Sequence, residues 1–226
     1  MTPRRRAAWL ILAPLLASTA VLAQQRITVG RLFPPEKLGE LAPPDRDDWQ
    51  QPDRIMDALG IAEGDRAADV AAGGGWFTIR LARRVGPNGR VYAEDIQPPM
   101  ITAIERAITL YGLKNVTPIL GTAADPMLPA NLHSVLIVNL YSQFGDPAAV
   151  ARCALCDLLK NVRKSLAPNG RLGIVDFKKD GAGGPGPELE FRVEPDLIIR
   201  DAARAGLTLR KQETFLRYQY LLIFGK

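Results

Sequence analysis

Along residues 46–226, short apolar, β-branched stretches alternate with longer amphipathic ones, and this alternation constrains the fold more than any other feature. Strands are expected at 66–72, 90–96, 116–120, 134–140, 171–177, 207–213 and 218–224. Helices are expected between them at 48–59, 76–85, 100–111, 148–166 and 195–205. The stops are chemical: Gly86-Pro87-Asn88-Gly89, Gly112, Pro168-Asn169-Gly170 and Gly206 each end a helical pattern. Strands separated by helices must run parallel, with helices covering both faces, which predicts an α/β, doubly wound, Rossmann-like sheet of seven strands. The last two strands are joined by a short turn and are expected to pair antiparallel at one edge, so the sheet is mostly parallel with one antiparallel edge strand. No internal repeat interrupts this pattern.

The 226 residues are 47% hydrophobic and 23% charged, which excludes a disordered chain and suits one domain. The formal charge of +5 is concentrated at Arg4-Arg5-Arg6, so the body is nearly neutral and no nucleic-acid partner is expected. Those arginines precede an apolar run from Ala7 to Leu16 and a small-residue site at Val21-Leu22-Ala23. Residues 1–23 therefore read as a signal peptide cleaved before Gln24, which implies export to a periplasm. The alternative is an uncleaved helix anchoring the domain to the membrane. Residues 24–45 are an extended, proline-punctuated segment, and 46–226 are the folded domain.

Cys153 and Cys156 form a C-x-x-C within the apolar-periodic run 148–166, whose start is marked by Asp146 and Pro147. Mid-helix placement predicts buried thiols; an i,i+3 disulfide and a metal or redox role are the alternatives. The chain has one histidine, His133, so no metal site is expected.

The chemistry-bearing stretch is Asp69-Val70-Ala71-Ala72-Gly73-Gly74-Gly75-Trp76-Phe77, at the first strand–helix junction. Glycines there let the backbone approach a ligand closely, and the next helix offers free N–H groups. Asp95 ends the second strand, where a carboxylate suits two ribose hydroxyls. A dinucleotide oxidoreductase would need a further glycine at Thr78, which is missing.

Residues 46–225 resemble the class I S-adenosylmethionine-dependent methyltransferases. The resemblance lies in Ala67 to Thr78, in Asp95-Ile96-Gln97-Pro98-Pro99-Met100, in Gly121 and in Asn139-Leu140-Tyr141. It continues through the turn Leu166-Ala167-Pro168-Asn169-Gly170-Arg171-Leu172 and the strand around Tyr218-Gln219-Tyr220. Small exported bacterial methyltransferase-domain proteins, related to the quinone-biosynthesis type, are the nearest in pattern. The resemblance implies S-adenosylmethionine as cofactor, held by Asp69, Ala71, Gly73, Gly75, Asp95, Ile96, Thr122, Ala123 and Asn139. It implies methyl transfer to a small or quinone-like acceptor, with Tyr141 and Asp176 as candidate catalytic side chains. Association with a membrane surface or a protein complex is the other partner expectation. The acceptor is expected to meet residues 27–44 and the glycine-rich loop 178–188. Three positions depart from the family pattern: Ala71 replaces a glycine, Thr122 an aspartate (Asp125 lies nearby), and Ser142-Gln143 stand in place of histidines. They leave a second reading, a methyltransferase-fold binding or scaffold subunit without catalysis.

Overall fold

The computed structural model describes residues 32–143, 153, 155–180 and 184–226. Residues 1–23, read as a signal peptide, and the expected helix start at Asp146-Pro147 lie outside the described residues. No helix among the described residues is long and apolar enough to cross a membrane.

The strands are β1 (Arg66–Val70), β2 (Arg90–Asp95), β3 (Val116–Leu120), β4 (Leu132–Val138), β5 (Leu166–Phe177), β6 (Thr208–Glu213) and β7 (Gln219–Gly225). They form one sheet in the order β3-β2-β1-β4-β5-β7-β6. The pairs from β3 through β5 are parallel, and β7 runs antiparallel between β5 and β6. The helices are α1 (Arg46–Gln50), α2 (Pro52–Leu59), α3 (Trp76–Val85), α4 (Pro98–Leu110), α5 (Cys156–Ser165) and α6 (Pro195–Arg204). They divide the core between the two sheet faces. Ile55, Leu59, Phe77, Leu81 and Val91 fill one side, while Leu159, Val162, Ile198, Leu222 and Phe224 fill the other.

The chain order reverses direction across the sheet at β1, which lies between β2 and β4. In an open α/β sheet, the crevice beyond the carboxyl ends of the strands at such a switch is where ligands bind. Ala71, Asp95 and Asn139 follow or end β1, β2 and β4 and therefore meet there.

Two elements differ from the pattern read in the sequence. The helix expected at 48–59 is two helices, broken at Gln51 with φ +49, because Pro52 disfavours the helical conformation in the residue before it. The described part of the helix expected over 148–166 begins at Cys156. Cys153 lies before it with φ +61 and is disulfide-bonded to Cys156, so these are not buried free thiols. A left-handed residue cannot continue a helix, so Cys153 is not mid-helix as the apolar periodicity implied.

Candidate active site

The glycine turn after β1 is a closed backbone loop. Gly75 N–H donates to Ala72 O (3.0 Å), and Ala72 N–H donates to Glu94 O on β2 (2.8 Å). Gly73 and Gly75 have φ of +55 and +84 and so use glycine's freedom directly. Ala71, where the resemblance implies glycine, keeps a left-handed φ of +57. The turn is thus preserved at a conformational cost, about 1–2 kcal/mol for an L residue. Ala71→Gly is expected to raise stability by about 1 kcal/mol, because relief of that strain outweighs the extra freedom of glycine in the unfolded chain. Urea unfolding checks this, and a less stable variant would contradict it.

Asp95 stitches the turn to β2. Its Oδ2 accepts from Gly73 N–H (2.9 Å), and its Oδ1 accepts from Gln97 N–H (3.0 Å). Burial raises its pKa and these backbone donors lower it, with a net rise. A carboxylate has about four lone-pair sites, so two remain for hydroxyl donors. Asp69 lies deeper, accepts from Thr78 Oγ1 (2.7 Å), and is pushed by burial up to about 7. Glu94, beside Asp95, was not singled out in the sequence. It is 1% exposed, and its Oε2 accepts a long bond from Ala71 N–H (3.3 Å). Its Oε1 has no protein partner, and burial pushes its pKa up to about 8. Gly121 faces that carboxyl so closely that a Cβ would stand 2.0 Å from Oε1, so a larger residue there would displace the Glu94 side chain.

These acids line a cavity of about 560 Å³, within the usual range for small-molecule sites. The cavity gathers Asp69, Ala71, Gly73, Asp95, Ile96, Thr122, Ala123 and Asn139 from the expected set. Gly75 is not in its lining; it closes the turn behind Gly73 and precedes α3. Tyr141 and Asp176, the candidate catalytic side chains, are not in its lining either. Tyr141 is 1% exposed in the core, and Asp176 accepts from the backbone N–H groups of Tyr141, Ser142 and Phe177. Asp125 turns away too, its Oδ1 accepting from Met127 N–H (2.9 Å) in its own loop.

The roof comes from the segment before α1. Leu32, Phe33, Leu38, Leu41 and Pro43 line the cavity, and Gln97 Nε2 donates to Phe33 O (3.2 Å). The roof rests on the glycine turn: a Cβ on Gly74 would meet Leu38 Cδ2 at 2.4 Å, and one on Gly73 would meet Leu41 Cδ1 at 2.9 Å. The expected contribution of residues 178–188 is absent from the described lining. Arg192 ties that loop down, donating to Pro187 O (2.9 Å), Lys178 O (3.0 Å) and Pro185 O (3.2 Å).

Arg46 was missed in the sequence because the ring it stacks on, that of Trp76, is remote in the chain. It is 8% exposed, donates to Gln50 Oε1 (2.5 Å) and to Leu41 O, and stacks 4.1 Å from the Trp76 ring. Burial lowers its pKa to about 10, while the nearby Asp69 carboxylate opposes that shift. Gln50 Nε2 then donates to Gln219 Oε1 (2.9 Å), and Gln219 Nε2 to Asn139 Oδ1 (2.7 Å). This polar chain fixes Asn139, left-handed at φ +58, at the end of β4.

The acids also set a pH dependence. An acid whose pKa is raised on folding favours the folded state below its unfolded value and loses that advantage as pH rises through the folded value. For Glu94 the window runs from its ordinary value near 4.5 to about 8. The ligand-free protein is therefore expected to lose stability between pH 5 and 8, and Glu94→Gln to flatten that slope. Thermal melts across this range check it; an unchanged slope in the variant would contradict it.

A family model described as a methyltransferase domain matches residues 67–170. The chain is 34% identical over 124 residues to nocamycin O-methyltransferase of Saccharothrix syringae, covering 54% of this chain and 41% of that protein. It is 36% identical over 85 residues to demethylmenaquinone methyltransferase of Geobacillus stearothermophilus, covering 38% of this chain and 36% of that protein. The chain thus spans about two fifths of the length of these relatives. In fold it is similar to a SAM-dependent methyltransferase from Aquifex aeolicus, with a TM-score of 0.76 at 24% identity over 85% of this chain and 98% of that one. With the glycine turn, the acid at the end of β2 and the reversed β7 all in place, the fold is that of SAM-dependent methyltransferases, and residues 67–170 match a methyltransferase domain.

Proposed function

We propose that this protein binds S-adenosylmethionine in the cavity beneath its N-terminal roof and transfers the methyl group to a small, quinone-like acceptor. The observation that carries the reading is the convergence of Asp69, Glu94 and Asp95 on one cavity beside the glycine turn. Anionic and polar groups there suit a ligand bearing a sulfonium, an ammonium and ribose hydroxyls. The residues present fit the group: Asp95 retains acceptor capacity for the ribose, and Ile96, Thr122 and Ala123 lie together where an adenine would rest.

When bound, the cofactor supplies an electrophilic methyl group. The protein's part is placement. Gly73 and Gly74 give the ligand backbone to lie against, and Asp95 sets its register. Asn139, held by Gln219, adds a polar side chain to the lining. Phe33, Leu38, Leu41 and Trp76 supply an apolar wall that excludes water and suits a flat, apolar acceptor. Holding two reactants in line is worth about 7–11 kcal/mol of barrier, so the reaction does not depend on histidines at Ser142-Gln143. The quinone-related names among the relatives support the acceptor class. We further propose, from the sequence of residues 1–23 alone, that the domain works outside the cytoplasm.

Incubation of the purified protein with methyl-labelled S-adenosylmethionine and a panel of reduced naphthoquinols and benzoquinols tests the reaction. Label transfer to a quinol is expected. Cofactor binding without transfer to any of them would overturn the acceptor assignment.

A further inference from the structure

Beside α5 and α6, at side chains that do not line the cavity, two sulfurs and a carboxylate converge. Cys153 and Cys156 are joined, both are partly exposed, and an oxygen of Asp201 on α6 lies with their sulfurs inside a 4.8 Å cluster. Cys156 opens α5, a helix of 10 residues, and its Sγ lies 4.0 Å from Asp201 O. Asp201 is 2% exposed, and its Oδ2 has no protein partner. Its Oδ1 meets Arg204 at 3.6 Å. A buried carboxyl oxygen with no partner is costly, and it calls for a chemical reason. Cys153 adds a second cost, since its φ of +61 is a conformation that residues other than glycine rarely hold. A bridge across a sequence separation of 3 closes a very short loop, so it contributes little as a structural staple.

We propose that Cys153 and Cys156 are a redox-active disulfide/dithiol pair, with Asp201 as the group that exchanges a proton with Cys156 and a dithiol as the substrate class. In the reducing direction, a thiolate of the dithiol attacks Cys153 Sγ and forms a mixed disulfide with it. The Cys153–Cys156 bond breaks, its electron pair goes to Cys156 Sγ, and the Asp201 carboxyl gives that sulfur its proton. The second thiol of the dithiol, as thiolate, then attacks its own partner sulfur in the mixed disulfide. Cys153 leaves as a thiolate and takes a proton from solvent. The dithiol has lost two electrons and become a cyclic disulfide, and the protein has gained them as two thiols. Two features of the site support these roles. The N-terminus of α5 stabilises negative charge developing on Cys156. Burial raises the pKa of Asp201 while Arg204 and Arg200 oppose it, so the carboxyl holds its proton more readily than an exposed aspartate does. Tyr141 is the other titratable group whose charge is coupled to Asp201, and its own pKa is raised well above the usual value, so it stays neutral.

The test uses the full chain purified without reductant. Dithiothreitol is added under native conditions, and the thiols released are trapped by alkylation and counted by intact mass. Two thiols are expected to appear in the folded protein and to re-form the bridge when a cyclic disulfide is supplied in excess. Asp201→Asn, which preserves shape but removes the exchangeable proton, is expected to slow reduction at pH 7 by about 100-fold. With the rate corrected for the thiolate fraction of the reagent, the parent protein is expected to show one titration that the variant lacks. A bridge that opens only in denaturant would overturn the proposal, as would equal rates in parent and variant. Stoichiometric zinc on the isolated protein, with thiols freed only by a chelator, would assign the cluster to a metal and overturn it too.

Discussion

Asp95→Ala is expected to weaken binding of S-adenosylhomocysteine by roughly 10- to 150-fold, because a hydrogen bond to a charged group is worth about 1.5–3 kcal/mol and each 1.4 kcal/mol is a decade. On the proposed reading the carboxylate has two duties: it offers acceptors to a ribose, and it holds the glycine turn through Gly73 N–H. Alanine removes both, so the turn is freed on one side as its ligand loses a partner. Asp95→Asn keeps one oxygen acceptor and is expected to fall between parent and alanine. Calorimetric titration of the three proteins checks the order, with a thermal melt to confirm that each is folded. Equal affinities in the parent and the alanine variant would remove Asp95 from the site.

Asp176→Ala is expected to lower stability by about 2–4 kcal/mol. Asp176 is 0% exposed and accepts from three backbone N–H groups, those of Tyr141, Ser142 and Phe177. Leaving a buried donor without a partner costs about 1–3 kcal/mol. Relief of burying the charge, which pushes the Asp176 pKa up to about 6, offsets part of that sum. At about 2–4 °C per kcal/mol for a domain of this size, the melting temperature falls by roughly 4–16 °C. Asp176→Asn keeps an acceptor and loses less. Because the side chain does not line the cavity, the asparagine variant is expected to bind S-adenosylhomocysteine within about twofold of the parent. A stable Asp176→Asn protein with abolished binding would return this residue to the site.

Much of the scaffold was legible because it rests on local periodicity. The pattern at 76–85 coincides with α3 (Trp76–Val85), and that at 116–120 with β3 (Val116–Leu120). The cavity's lower wall was legible for a related reason: glycines and acids at strand ends have few roles other than backbone approach and hydrogen bonding. The rest depends on contacts between residues far apart in the chain. Nothing local tells that Arg46 stacks on Trp76, or that Gln50 reaches Gln219. Glu94 and Asp176 show the same effect from opposite sides. Each is a carboxylate at or near a strand end, yet Glu94 lines the cavity while Asp176 accepts from the backbone of the turn Tyr141–Gln143, a difference set by what packs around each in space. Ala71 looked like a break in the motif, yet its backbone adopts the conformation a glycine would have, which the sequence alone does not reveal. The cysteines were misplaced because apolar spacing continued past a residue whose backbone had already left the helix.

The central claim is that the cavity between the glycine turn and the N-terminal roof holds S-adenosylmethionine. Isothermal titration of the purified protein with S-adenosylhomocysteine tests it most directly, since the product resembles the cofactor without reacting. The account predicts one-to-one binding with a Kd on the order of 10 µM, near −7 kcal/mol. No detectable binding at millimolar ligand, by a protein whose melt shows it to be folded, would contradict it.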